Sequence, residues 1–329
     1  MNSELVSIVM ATYNGERFLR QQLDSILEQT YQYFELIVVD DASTDGTLSI
    51  LEKYAALDNR IHVFPVERNL GLVANFERGL RLAKGDFIAF SDQDDIFRKD
   101  KIELLLAALK DHPNRGLAVS DLSLMDEFGN EIAQSMWLYQ RLNPRQGKPF
   151  RRLLYGNFAT GCAMMFRRRL LDIAIPFPAD CIVHDWWLAV VAASSQGGGI
   201  CLVKEPLTAY RQHLLNVIGA RVTDKLSVTA IARIKAAPRG ISVFKERMSL
   251  YKKLHANRLA GYLHCTLWSS EERLFIEQSR ALILDYASDV HRNLISRILK
   301  LPQRLRHALI TGGAASCLPV VMHTISPYK

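Results

Sequence analysis

Residues 92–95 read Asp-Gln-Asp-Asp and follow directly on the apolar run Phe87-Ile88-Ala89-Phe90 and Ser91. Three carboxylates within four positions repel one another, by several kcal/mol in a partly dry setting, unless something positive lies between them. One acid would suffice to cap a helix beginning near Phe97, and a cap by Asp94 or Asp95 is the plainest use of the segment. Three are excessive for that purpose, and Asp40 and Asp41 close a second apolar run, Leu36-Ile37-Val38-Val39. A hard divalent cation prefers carboxylate oxygens and often keeps substrate phosphates as further ligands, so the pattern points to a metal-diphosphate site.

Such acids need a scaffold that brings them to one edge. Over residues 1–220 short β-rich runs alternate with longer amphipathic segments, which is α/β organisation. Residues 6–11, 34–40, 60–66 and 86–90 read as strands. Residues 15–29, 43–56 and 72–84 read as helices, the second started by Ser43. Strand interiors nearly free of charge suit a parallel sheet covered on both faces, whose ligands gather at the C-terminal strand ends. Tyr13, Asp40, Asp41, Asp92 and Asp94 all fall there. The loop after the first strand, Ala-Thr-Tyr-Asn-Gly-Glu, has one glycine, and no GxxxxGK[ST] occurs, which disfavours a dinucleotide oxidoreductase or a P-loop nucleotide hydrolase.

The chain has 329 residues, 49% of them hydrophobic, enough for a large core. Its net charge of +7 is uneven: residues 1–220 carry −4 and residues 221–329 carry +11. A shift of this kind marks a domain boundary near residue 220. Five scattered cysteines without a CxxC pair suggest neither a disulfide framework nor a zinc site, and a reducing, cytoplasmic setting fits. The first residues do not make a signal peptide, and no apolar stretch of about 18 residues is present to span a bilayer.

VSIVMATYNG, LIVVDDASTDGT, ERNLGLVANF and GDFIAFSDQDD occur in order, and together the set resembles the family 2 glycosyltransferases of the GT-A fold. ATGCAMMFRRRLL, VHDWWLAVVAA and LTAYRQHLLNVIG are similar to a bacterial subgroup described as rhamnosyltransferases. The resemblance spans roughly residues 4–220. It implies the GT-A nucleotide-diphospho-sugar transferase fold, a mixed, mainly parallel sheet between helices, with residues 221–329 as a helical extension.

By position it places Thr12 and Tyr13 in the nucleotide pocket, with Asp41 contacting the base and Asn69 and Gly71 closing the same pocket. Asp92 would face the ribose side, and Asp94 would bind Mg²⁺ or Mn²⁺ across the diphosphate. Asp185 would be the base that takes the acceptor hydroxyl proton, an N-cap being its structural alternative. Trp186 and Trp187 could wall a sugar ring, although one of them can be ordinary core. His184 could hold the acceptor or lie at the surface, and Arg211 or His213 could reach the diphosphate or metal; an imidazole there would hint at Mn²⁺. The basic triplet Arg167-Arg168-Arg169 reads as a solvated helix start.

The activity implied is inverting transfer of a single sugar, L-rhamnose from dTDP-rhamnose in the favoured case, to a bacterial surface glycan or a lipid-linked oligosaccharide. The chain lacks the QxxRW element of processive synthases. A UDP-sugar hexosyl donor is the alternative, and a non-catalytic nucleotide-sugar or glycan-binding protein of the same fold is the alternative from another class. Residues 291–310 alternate apolar and basic positions at helical spacing, which suits an anionic membrane surface at the inner face of the cytoplasmic membrane, or simple packing on the catalytic domain. Nucleic acid is disfavoured because no recognition motif accompanies the charge.

Overall fold

The computed structural model describes residues 4–178, 181, 183–213, 216, 259, 261–263 and 267–289. They fall into two compact units, one containing residues up to 153 together with 157–216, the other containing 154–156 and the residues from 259 on. The segment 291–310 lies outside the described residues.

In the first unit the strands are β1 (Val6–Thr12), β2 (Phe34–Asp40), β3 (Ile61–Pro65), β4 (Phe87–Ser91), β5 (Ile96–Phe97), β6 (Leu117–Met125), β7 (Glu131–Ala133), β8 (Met164–Arg167) and β9 (Ile200–Arg211). They form one sheet in the order β3-β2-β1-β4-β8-β6-β9-β5, with β7 paired to β6. β1 runs parallel to β2 and β4, and β2 to β3. β8 enters antiparallel between β4 and β6, and β9 returns parallel to β6. The fold class expected from the sequence is the one observed.

The helices are α1 (Leu19–Leu27), α2 (Thr47–Leu57), α3 (Leu72–Leu82), α4 (Lys101–Asp111), three short ones, α5 (Met136–Tyr139), α6 (Phe150–Tyr155) and α7 (Leu171–Ala174), then α8 (His184–Ala193). Leu19, Leu23 and Ile26 of α1 and Ile102, Leu105 and Leu109 of α4 pack in one core with Val6, Ile8, Met10, Leu36 and Val38. Removing one of these buried leucines to alanine would cost about 2–5 kcal/mol.

Two helix starts differ from the sequence reading. Ser43 does not open α2: its hydroxyl and amide both bond the Asp40 carboxylate, and the helix begins at Thr47. Neither Asp94 nor Asp95 caps a helix. Ile96 and Phe97 pair with Ala209 and Thr208 as β5, and α4 starts only at Lys101, with Asp100 at its N-cap position. The arginine triplet does stand at a helix start, a 3-10 turn over Arg168–Leu170 that leads into α7, with Arg169 exposed, but its guanidinium groups are engaged with backbone carbonyls. Arg167 donates to the carbonyls of Leu109 and Arg115, Arg168 to those of Ala83 and Gly85, and Arg169 to that of Pro113. Carbonyls near the ends of α3 and α4 thereby gain cationic donors, a favourable placement at a helix C-terminus.

In the second unit, α9 (Ser270–Asp289) opens with a capping box: the Ser269 hydroxyl accepts the Glu272 amide, and the Glu272 carboxylate accepts the Ser269 amide at 3.0 Å. Tyr155 donates to the Ser279 hydroxyl at 2.6 Å. No helix among the described residues is long and apolar enough to cross a membrane.

Candidate active site

The ends of β1, β2, β4 and β9 build the site. At the end of β1 the Thr12 hydroxyl turns inward and donates to Asp40 Oδ1 at 2.7 Å. Thr12 is buried and spent on that bond, whereas its neighbour Tyr13 is 49% exposed. Gln93 brackets the Tyr13 backbone, accepting its amide at 2.9 Å and donating to its carbonyl at 3.0 Å. Asp41 is buried, and its two carboxylate oxygens accept the amides of Leu70 (2.7 Å) and Gly71 (2.9 Å), while Asn69 donates to the Asp41 carbonyl at 3.2 Å. The Asn69-Leu70-Gly71 turn is thus tied to the end of β2, with Gly71 at φ +87°, a conformation that suits glycine. Ala42, between the two acids and their turn, sits at φ +64°; a left-handed alanine costs roughly 1–2 kcal/mol and is held there by the bonds of Asp40 and Asp41.

After β4 the acid cluster divides. Asp94 turns toward the end of β9: His213 Nε2 lies 2.7 Å from Asp94 Oδ2, and Asn216 Nδ2 lies 3.4 Å from the same oxygen. Asp95 turns inward, its Oδ1 accepting the Arg211 amide at 3.0 Å, while its Oδ2 is buried with no hydrogen-bond partner among the described residues. Asp92 is half-buried, and one carboxylate oxygen from each of Asp92 and Asp95 lies with the Cys162 sulfur, all within 4.8 Å of one another. Burial first, and then the neighbouring Asp94 charge, raise the Asp92 and Asp95 carboxyls well above the usual carboxylate range.

Arg211 does not reach outward to a diphosphate. Its guanidinium is spent on Asp94 O (2.8 Å), Gln21 Oε1 (2.6 Å) and Glu127 O (3.4 Å), so it fixes the acid loop from behind.

Asp185 lies in the first turn of α8, whose N-cap position is Val183, so the N-cap alternative fails. Its Oδ2 accepts the Gly161 amide at 2.8 Å and its Oδ1 the Asn157 side-chain amide at 3.2 Å. Burial pushes its pKa up to about 6, against the lowering effect of the Gly161 and Trp186 amides. A carboxylate in that range is ionised at neutral pH and basic enough to take a proton.

His184 contradicts the sequence reading. It is not at the surface but buried, stacked on Phe76 with ring centroids 3.8 Å apart and edge-on to Phe90 at 4.7 Å. Neither ring nitrogen has a partner among the described residues, and burial lowers its pKa to about 3. Trp187 is core, its indole donating to Ala174 O; Trp186 is half-buried and donates to Leu153 O at 2.6 Å.

Among the residues that sequence reasoning missed are Gln93, Gly161, Cys162 and Lys101. Lys101 is fully buried, donates to Cys162 O at 2.6 Å, and lies 3.1 Å from the Phe97 ring centroid. Burial lowers its pKa to about 7, opposed by the charges of Asp95 and Asp92. The signal was present: Lys101 shares a helix face with Leu105 and Leu109, where a charge has no ordinary place.

The donors present fit a divalent cation at one of the two acid clusters. The inner group of Asp92, Asp95 and Cys162 already has the Lys101 ammonium beside it, and its thiol, raised well above its ordinary pKa mainly by burial, stays protonated. The outer group offers Asp94 oxygens and the His213 imidazole, a set suited to a hard-to-borderline cation.

The family model for glycosyl transferase family 2 matches residues 7–173, half of the chain. The chain belongs to glycosyl transferase family 2. Among relatives, TuaG of Bacillus subtilis, provisionally named a teichuronic acid biosynthesis glycosyltransferase, is 36% identical over 128 residues, 39% of this chain and 50% of that protein. EpsE of the same organism, provisionally named a glycosyltransferase, is 41% identical over 125 residues, 38% of this chain and 45% of that protein. The chain thus matches about half the length of these curated relatives. Among solved structures, S. aureus TarS 1–349 in complex with UDP superposes with a TM-score of 0.53 at 22% identity, over 92% of this chain and 76% of that one. That likeness, with the family match, gives the GT-A fold to this sheet.

Proposed function

We propose that this member of family 2 is an inverting, metal-dependent glycosyltransferase that moves one sugar from a nucleotide donor to a hydroxyl of a bacterial surface glycan. The observation that carries the reading is that the acid cluster of Asp92, Asp94 and Asp95, with His213 on Asp94, is joined to the buried carboxylate Asp185 through the Gly161–Cys162 turn, whose Gly161 amide donates to Asp185 and whose Cys162 sulfur lies with Asp92 and Asp95. In the reaction the acceptor hydroxyl oxygen forms a bond to the anomeric carbon from the face opposite the leaving group. The bond from that carbon to the diphosphate oxygen breaks, the electron pair leaves with the nucleoside diphosphate, and Asp185 takes the hydroxyl proton. A bound Mg²⁺ or Mn²⁺, held by Asp94 with His213, would stabilise the charge developing on the diphosphate.

The other residues hold the donor. The exposed Tyr13 ring offers a face for the base, the Asp41–Gly71 turn shapes the rim of that pocket with Asn69, and Asp92 faces the ribose. Trp186, half-buried beside Asp185, is the member of the tryptophan pair left to line the acceptor side.

dTDP-L-rhamnose is the favoured donor, on the resemblance of the segments around residues 159–171, 183–193 and 207–219 to rhamnosyltransferases. A UDP-hexose is the second reading, favoured by the UDP and UDP-GlcNAc held by TarS. A surface-glycan acceptor is in keeping with the provisional naming of TuaG for teichuronic acid. Residues 1–220 act as the catalytic domain, and the basic residues 221–329 attach it to the inner face of the cytoplasmic membrane, near a lipid-linked acceptor. The test is release of nucleoside diphosphate from dTDP-, UDP- and GDP-sugars with Mn²⁺ and lipid-linked oligosaccharide acceptors. Turnover of one donor, lost in Asp185→Asn, supports the reading. Donor binding without turnover on any acceptor would favour a non-catalytic binding protein.

A further inference from the structure

The two halves of the site meet at one backbone carbonyl. Cys162 O accepts from Lys101 Nζ at 2.6 Å and from Thr208 Oγ1 at 3.0 Å. The donors are buried and come from different elements, α4 and β9. The carbonyl belongs to the turn Gly161–Ala163. That turn faces both ways: the Cys162 sulfur lies with the Asp92 and Asp95 carboxylates, and the Gly161 amide donates to Asp185 Oδ2 at 2.8 Å.

Gly161 leaves little room for a side chain. A Cβ there would stand 3.1 Å from His184 Nε2, so that ring would have to give by a few tenths of an ångström, and 3.4 Å from Asp185 Cβ, an ordinary contact, so the turn packs closely on the start of α8. A shift of the turn is therefore felt at Asp185 through this packing and the Gly161 amide. A charge in this position also needs a reason. Burying an ammonium costs several kcal/mol unless it is well paired, and a leucine or methionine would satisfy the apolar face that Lys101 shares with Leu105 and Leu109.

We infer that Lys101 and Thr208 are positioning residues: by holding the Cys162 carbonyl from two sides, they fix the turn whose Gly161 amide orients the Asp185 carboxylate for proton abstraction. The inference rests on the reading of Asp185 as the base. A Lys101 that served only to offset the Asp92 and Asp95 charges would leave Thr208, which is neutral, without influence on turnover. Thr208 is thus the discriminating position.

The experiment compares Thr208→Val, Lys101→Met and Gly161→Ala with the wild type in donor turnover, in Mn²⁺-dependent binding of nucleoside diphosphate, and in the ¹⁵N–¹H spectrum of glycine-labelled protein. The Gly161 resonance is identified by its loss in Gly161→Ala. Displacement of the base predicts a fall in kcat of about 3- to 10-fold for Thr208→Val and about 10- to 100-fold for the other two, with donor KM and nucleotide affinity nearly unchanged. The Gly161 amide should move in Thr208→Val as it does in Asp185→Asn. Should Lys101→Met fail to fold, the nearly isosteric Thr208→Val still decides. A Thr208→Val protein with wild-type kcat and an unmoved Gly161 amide overturns the positioning role alone, as do losses confined to KM and thermal stability. A wild-type protein that turns over no donor overturns the proposed activity, and with it the purpose given to the turn.

Discussion

His213 Nε2 stands 2.7 Å from Asp94 Oδ2, although 119 residues separate them in the chain. Arg211 brings them together: two residues before His213, it gives its amide to Asp95 and its guanidinium to the Asp94 carbonyl. The end of β9 is therefore bound to the loop after β4 by backbone and side chain at once.

If this pair holds the cation, His213→Ala should weaken Mn²⁺-dependent nucleotide binding by roughly 10- to 100-fold, with a smaller loss in Mg²⁺, because imidazole suits borderline metals better than hard ones. Calorimetry with each metal checks this. Equal losses in both metals would leave His213 only the task of orienting Asp94.

Asp185 must be ionised to act as a base. With its pKa pushed up to about 6, the rate of the chemical step should be flat above that value and fall as the pH drops below it, tenfold per unit. Asp185→Asn should lose about 10²- to 10⁴-fold in kcat and keep its nucleotide affinity. A variant retaining more than a tenth of wild-type kcat would remove Asp185 from the mechanism.

Arg211→Met should destabilise the protein by roughly 2–4 kcal/mol, because the Asp94 and Glu127 carbonyls and the Gln21 side chain lose a donor in a nearly dry setting. Denaturant unfolding measures this. A loss within experimental error would mean that water replaces the guanidinium without cost.

His184 makes stability depend on pH in a known direction. Its folded pKa of about 3 lies below its ordinary value, so the folded protein refuses a proton that the unfolded chain accepts. Its contribution is complete above about pH 6.5 and drains away as the pH falls from there toward 3. Asp92, Asp95 and Asp185, all raised, act in the opposite sense and are common to wild type and variant. His184→Phe, which keeps a stacked ring against Phe76, should therefore gain about 2 kcal/mol relative to wild type on going from pH 8 to pH 5. Melting curves at the two pH values check the difference; a pH-independent offset would show that His184 is not kept neutral by its surroundings.

The strands and the sheet-edge acids were legible because apolar runs ending in Asp40, Asp41 and Asp92 leave few other arrangements. Helix starts were less so. Ser43 looked like a cap, yet Asp40 outcompeted the helix for its hydrogen bonds, and Ile96-Phe97, where a helix start was expected, became a short strand because β9, more than a hundred residues later, supplied its partner. His184 could not be placed from its neighbours, since a histidine before an acid reads as polar until Phe76 and Phe90 close over it. Lys101 was readable as a charge on an apolar helix face. Its partner, the Cys162 carbonyl, was not, because backbone acceptors leave no mark in sequence.

The most direct measurement is calorimetric titration of the protein with dTDP, UDP and GDP, each with Mn²⁺ and with EDTA, repeated on Asp94→Ala. The account predicts that one nucleotide binds only with the metal and that Asp94→Ala abolishes this binding while leaving the protein folded. Equal binding with EDTA, or undiminished binding by Asp94→Ala, would contradict a metal-diphosphate site at Asp94 and His213.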